Sequence, residues 1–183
     1  MVHYPVYDKN GRIVATSITN LEIHDIARCC MTFGIDLCYI VTPLPKQRDI
    51  MEKLIGHWTE GYGARYNPAR GEALQRVRIM NTVGAMIEDA SSKRRPFVVG
   101  TSSREQKERS ITYRELRELV EKGNDPSLIL FGTGWGLSRE VVDMCDTMLV
   151  PVKGSGDYNH LSLRVAIGII LDRIFCRRGG YDE

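Results

Sequence analysis

Short β-type runs alternate with helical stretches from one end of the chain to the other, and no other feature constrains the fold as strongly. Leu37 to Val41, Val77 to Met80, Pro96 to Gly100, Leu128 to Phe131 and Thr147 to Val150 read as buried strands. Between them lie helical stretches: Asn20 to about Phe33, Pro43 to about Trp58, Thr82 to Ser91, Thr112 to Lys122, a short helix from Ser138, and a terminal helix from about Leu161 to Arg177. Such alternation builds a mostly parallel sheet with helices on both faces, the α/β class. Two extended segments at the start, Val2 to Tyr7 and Arg12 to Ser17, meet at Asp8-Lys9-Asn10-Gly11, where Asn-Gly supplies the positive φ of a tight turn.

The length, 183 residues, suits a single domain covering residues 1–183, because one core of this size removes roughly 70% of the unfolded surface from water. With 43% hydrophobic and 26% charged residues, the composition is that of an ordinary globular protein. No stretch approaches the roughly 20 apolar residues that span a bilayer. The first residues lack a basic segment followed by a long apolar one, so a cytoplasmic location is expected. Five cysteines (Cys29, Cys30, Cys38, Cys145 and Cys176) show no CxxC or Cys/His spacing, so no metal site is expected. The net charge of +2 argues against indiscriminate nucleic-acid binding and makes local basic patches the feature to follow.

Within the helices, Ile23, Ile26, Ala27 and Cys30 share one face of the first, with Asn20 expected as its cap and Gly34 as its stop. Leu116, Leu119 and Val120 recur at helical spacing in the fourth. The passage from Gly61 to Arg70, rich in Gly and Arg, reads as an exposed loop. There Arg65 and Arg70 are interleaved with Tyr62 and Tyr66, a mixture suited to phosphate contacts and base stacking. Arg12, Lys93, Arg94, Arg95 and Arg104 would extend that patch, although charge runs most often form plain solvated surface.

Three loops that follow strands carry the functional signal. In the first, Leu128-Ile129-Leu130 runs into Phe131-Gly132-Thr133-Gly134-Trp135-Gly136, and three alternating glycines let backbone approach a planar ligand. In the second, Leu149-Val150-Pro151-Val152-Lys153-Gly154 leads through Tyr158, Asn159, His160 and Leu161 to a helix start. In the third, Gly100-Thr101-Ser102 offers small hydroxyls suited to a ribose or an amino-acid end. Because carboxyl ends of neighbouring parallel strands share one edge, these loops can wall one pocket. A phosphate-binding P-loop is excluded, since no Lys follows the glycines, and their GxGxG spacing late in the chain is not the dinucleotide fingerprint.

This constellation resembles the SPOUT superfamily of RNA methyltransferases, and nearest of all a bacterial group of predicted RNA methyltransferases. Members carry, in this order, a glycine loop after an apolar strand, a Pro/Gly loop after the next, and a polar turn entering the last helix. Ile26-Ala27-Arg28 with Phe33-Gly34-Ile35-Asp36 resembles the first motif of the ribose-methylating branch. The resemblance implies S-adenosylmethionine as cofactor, bound by the three loops. It also implies a tRNA or rRNA substrate, a C-terminal trefoil knot and a homodimer in which substrate approaches across the subunit boundary. Arg28 inherits a catalytic role by the same route.

Glu22 and His24 stand where that branch carries Asn and Gly, Thr133-Gly134-Trp135 replaces its Pro-Glu, and Tyr158-Asn159-His160-Leu161-Ser162 replaces its usual last motif. The acceptor, ribose hydroxyl or base, therefore stays open. His160 is a candidate base because an imidazole accepts a proton near neutral pH; its competing role is to shape the cofactor loop. The apolar stripe Val165, Ile169, Leu171 and Ile174 fits either core or dimer contact. An RNA-binding or regulatory dimer without activity is the alternative function, and a generic nucleotide-binding protein a third.

Overall fold

The computed structural model describes residues 1–176 apart from 92, 93, 107, 108, 124 and 157. Its elements are a hairpin of β1 (Val6–Tyr7) and β2 (Ile13–Val14), then α1 (Asn20–Thr32), β3 (Cys38–Val41) and α2 (Pro45–Thr59). They continue with α3 (Tyr62–Tyr66), α4 (Pro68–Leu74), β4 (Val77–Met80), α5 (Val83–Ala90), β5 (Phe97–Gly100) and β6 (Ser110–Ile111). The last are α6 (Tyr113–Lys122), β7 (Ser127–Leu130), α7 (Arg139–Met144), β8 (Thr147–Leu149) and α8 (Leu163–Phe175).

β3 pairs parallel with β4, and β6, β8, β5 and β7 pair in that order, all parallel. The two groups are joined by the first three residues of the chain. Val2 forms parallel bridges to both Val41 and Gly132; its N–H donates to Phe131 O at 2.8 Å, and the His3 N–H to Val41 O at 2.9 Å. The result is one parallel array in the order β4, β3, Val2, β7, β5, β8, β6.

Strand periodicity assigns the faces. Cys38, Ile40, Val99, Phe131 and Leu149 enter one core with α1, α2, α4, α6 and α8. Their neighbours Tyr39, Val41, Val98, Leu130 and Met148 enter a second core with α5 and α7. Successive strand side chains alternate in direction, so a sheet buried on both sides reads as continuous apolar runs. The expected α/β architecture with helices on both faces is therefore the observed one.

Local chemistry explains the element ends. Ile23, Ile26, Ala27 and Cys30 are buried as expected, but the cap of α1 is Thr19, not Asn20. Its hydroxyl accepts from the Glu22 N–H, and the Glu22 carboxylate accepts from the Thr19 N–H, a reciprocal capping box. Thr112 and Glu115 repeat the device at α6. Gly34, at φ 69°, ends α1. The terminal helix begins at Leu163, two residues later than expected, and runs to Phe175 with Cys176 as its C-cap; Arg177, its expected end, lies outside the described residues. Along it, Leu171 and Ile174 are buried with Ile167 and Ile170, Ile169 is half-buried and Val165 is exposed.

The largest correction concerns residues 61–70, which form two short helices instead of a loop. Asn67 caps α4 by accepting from the Arg70 N–H, and Pro68 occupies the first turn. The glycines there act as close-packing positions: a Cβ on Gly63 would lie 2.7 Å from the Trp58 ring, and one on Gly71 2.5 Å from Trp58 O.

Candidate active site

The carboxyl ends of β5, β7 and β8 lie side by side because these strands are adjacent and parallel. The segments that leave them enclose a cleft of 820 Å³, within the roughly 300–1,000 Å³ of small-molecule sites. Thr101, Ser102, Ser103 and Arg104 come from the end of β5, and Phe131 to Leu137 from the end of β7. Leu149, Val150, Pro151, Val152 and Tyr158 to Leu163 come from the end of β8. Of the residues expected to hold the cofactor, all but two line this cleft. The exceptions are Gly154 and Gly100. Gly100 lies behind the wall, where a Cβ would meet Met148 Sδ at 2.5 Å. Trp135, Tyr158 and Leu161 stand at the rim, 65%, 80% and 44% exposed.

Hydrogen bonds fix the walls to one another. Thr101 donates from both its N–H and its hydroxyl to Leu130 O, at 3.0 and 2.9 Å. Asn159 Nδ2 donates to Ser103 O at 2.8 Å, and Lys153 pairs with Glu105 at 3.1 Å, so the β8 loop is tied twice to the β5 loop. The glycine loop is held by the N-terminal hairpin. The Trp135 N–H donates to Tyr7 O at 2.9 Å, and the Arg139 N–H donates to the Tyr7 hydroxyl at 3.0 Å.

All three glycines line the cleft, and two of them are also required by the protein's own packing. Cβ atoms on Gly132 and Gly134 would lie 2.7 Å from Leu137 N and Tyr7 O respectively, so both make room for protein backbone. Gly134 and Gly136 take positive φ, 58° and 106°. Of the three, only Gly136 has open space on the side a Cβ would take, so a ligand can come close to its backbone there as well.

Behind the loop runs a buried hydrogen-bond chain. His3 Nδ1 lies 2.9 Å from the Thr16 hydroxyl, which lies 2.5 Å from the Thr133 hydroxyl, which donates to Val2 O at 3.2 Å. One consistent set of protons runs from Nδ1–H through Thr16 and Thr133 to the carbonyl. His3 is 1% exposed and its Nε2 has no partner. Burial is the main reason its pKa falls from 6.5 to about 4, so it is neutral at pH 7 and a fixed part of the support for Thr133, which lines the cleft.

The donor set fits an adenosyl amino acid. Met148, Leu149, Ile170 and Val142 give an apolar wall for a base, while Ser102 and Ser103 give hydroxyls. Ser162, the N-cap of α8, makes no side-chain cap bond, so free N–H groups of the first turn stand at the wall where they favour a carboxylate.

The other predicted residues are dispersed. Arg28 is exposed on α1, without a hydrogen bond or ion pair among the described residues, and does not line the cleft. His160 lines it, exposed, with its ring edge-on to Tyr158 at 5.6 Å. Arg65 is exposed on α3, and the Arg70 guanidinium lies 4.5 Å above the Trp58 ring. Arg12, Arg94 and Arg95 are paired with Asp8, Asp125 and Asp146, and Lys93 lies outside the described residues. Sequence reasoning missed Tyr7, Arg139 and Glu22, which also line the cleft. Tyr7 and Arg139 lie in segments with no ligand-binding pattern of their own, and Glu22 stands out only as a departure from the first motif. Among the described residues no group of His, Cys, Asp and Glu is arranged to hold a metal, and no helix is long and apolar enough to cross a membrane.

The fold, a parallel α/β domain in which the loops after β5, β7 and β8 enclose such a cleft, is similar to that of SpoU methyltransferases. The SpoU methyltransferase AviRb from Streptomyces viridochromogenes, solved in complex with the cofactor AdoMet, superposes with a TM-score of 0.57 at 14% identity, over 93% of this chain and 62% of that one. The chain itself belongs to the SAM-dependent RNA methyltransferase family, which it matches over residues 1–176, and S-adenosylmethionine is the cofactor of that family.

Among its relatives, a protein of Oleidesulfovibrio alaskensis named tRNA (guanine-N(1)-)-methyltransferase is 43% identical over 176 residues. That match covers 95% of this chain but only 40% of the relative. An uncharacterized protein of Aquifex aeolicus is 41% identical over 179 residues, covering 97% of this chain and 87% of that protein.

Proposed function

We propose that this chain transfers a methyl group from S-adenosylmethionine to RNA, with tRNA as the substrate class. The observation that carries the reading is the cleft itself, enclosed by the loops that leave three adjacent strands, in a chain of this family. The names of the longer relatives favour tRNA over rRNA. The acceptor is a ribose hydroxyl or a base atom, and the site of action is the cytoplasm.

The cofactor would contribute an electrophilic methyl on a sulfonium. The loops would contribute position, which is worth much of the acceleration in a displacement of this kind. Backbone at Gly136 and Val152 would orient the adenosine, and the open first turn of α8 the carboxylate. His160, at the cleft wall, would accept the proton of the acceptor at an imidazole nitrogen.

Arg28 would act from a second copy of the chain. It is exposed, without an ion pair or hydrogen bond among the described residues, and outside the cleft of its own chain, which supports a homodimer in which it orients substrate phosphate beside the partner's cleft. A trefoil knot is the remaining part of the proposal. From β5 the chain crosses to β6 at one edge and returns past β5 to β7, and β8 then enters between β5 and β6. That order supports threading.

Calorimetry with S-adenosylmethionine and with ATP, followed by radiolabelled methyl transfer to unmodified tRNA transcripts, tests the reading. We expect selective binding of S-adenosylmethionine and incorporation that drops at least tenfold in Arg28→Ala and His160→Ala, as for loss of a proton acceptor or a positioning group. Preference for ATP would overturn the function; full incorporation in both variants would overturn only the two roles.

A further inference from the structure

The connection between β3 and β4 is built around Trp58 at the end of α2. The His24 ring of α1 and the His57 ring stand edge-on to it at 5.6 and 5.3 Å, and the Arg70 guanidinium covers it at 4.5 Å. Gly63 and Gly71 close onto it so tightly that neither tolerates a Cβ. Helix α3 is thereby pinned with its glycine inward.

What α3 turns outward is unusual for five residues. Tyr62 and Tyr66 are 69% and 73% exposed, with ring centroids 6.1 Å apart and planes within 20° of parallel. Arg65, between them in the chain, is exposed and makes no ion pair or hydrogen bond among the described residues. Two phenol faces left in water work against the hydrophobic effect, and their mount is rigid. The ground beside them is cationic. Arg70 covers the same Trp58 ring that His24 meets edge-on, and the pKa of His24 is lowered by burial first, then by the charge of Arg70 and, against the raising effect of Asp25, by that of Arg28.

Resting on the reading that the substrate is RNA, we propose that Tyr62, Tyr66 and Arg65 form a platform on which unpaired bases of the RNA stack while Arg65 holds the adjoining phosphate. Aromatic faces stack any base, and guanidinium groups nearby neutralise the backbone, so the platform binds single-stranded loops and leaves helical stem unrecognised. Such a surface places the RNA on the α1 side of the domain, the side that also displays Arg28.

Fluorescence anisotropy with a short labelled oligoadenylate and with a blunt RNA duplex tests this, alongside calorimetry with S-adenosylmethionine. We expect the Tyr62→Ala/Tyr66→Ala variant to bind the single strand about tenfold or more weakly, with duplex binding and cofactor affinity unchanged. Tyr62→Phe/Tyr66→Phe should restore it, because stacking needs the ring and not the hydroxyl. Unchanged single-strand affinity in the alanine variant overturns the platform while leaving the RNA function standing. So does a change of oligomeric state in that variant, which would make the pair a subunit contact. Failure of the wild-type protein to bind either RNA overturns the functional reading itself.

Discussion

His3 offers a measurable consequence of building a cofactor loop on a buried hydrogen-bond chain. Its side chain is buried, with Nδ1 committed to Thr16 and Nε2 without a partner, and its folded pKa is about 4 against 6.5 for the free imidazole. The unfolded chain therefore takes up a proton near pH 6.5 that the folded one refuses until about pH 4. Stability contributed by the neutral ring is fully present above pH 6.5 and is lost as the pH falls through that window. At about 1.4 kcal/mol per pH unit, the loss amounts to about 3 kcal/mol.

His24 is lowered in the same direction, and the carboxylates of Asp89 and Asp146 are held low by their hydrogen bonds and arginine partners. Their contributions are shared by any His3 variant and cancel in a comparison. His3→Asn keeps a donor near the position of Nδ1 and removes the titration. Urea denaturation of both proteins from pH 7 to pH 4.5 is the assay. The variant should start less stable, and the gap should close by up to about 1.4 kcal/mol per pH unit on acidification. Curves that run parallel across the range would refute the argument.

Gly134→Ala forces an L side chain into φ 58° with its Cβ 2.7 Å from Tyr7 O. The left-handed backbone alone costs about 1–2 kcal/mol. We expect a Tm lower by roughly 4 °C or more and a weaker Kd for S-adenosylmethionine, read by scanning calorimetry and titration. Asn159→Ala removes the exposed hydrogen bond to Ser103 O. It should leave Tm nearly unchanged yet weaken cofactor binding several-fold, of the order of one lost hydrogen bond at about 1 kcal/mol. Equal loss in both measurements would show that Asn159 supports the fold and not the cleft.

The sequence by itself determined the class of the fold, the core face of α1, and the cleft walls at Phe131 to Gly136, Leu149 to Val152 and Tyr158 to Leu161. Each of these is a local property: apolar strands end at glycine or proline, helices repeat every 3.6 residues, and parallel strands bring their carboxyl ends to one edge. Tertiary structure alone decided that Val2 is a strand in mid-sheet, that Tyr7 buttresses the glycine loop, and that residues 61–70 are helical. It also decided that Arg28 does not line the cleft of its own chain. For Val2 and Tyr7 the partners, Phe131 and Gly134, are distant in the chain; for Gly63 and Gly71 the partner Trp58 is near in sequence but is brought onto them only by the packing of the folded helices. A glycine read alone signals flexibility, and only the atom that fills the place of its missing Cβ shows whether it turns a chain, admits a ring or faces a ligand.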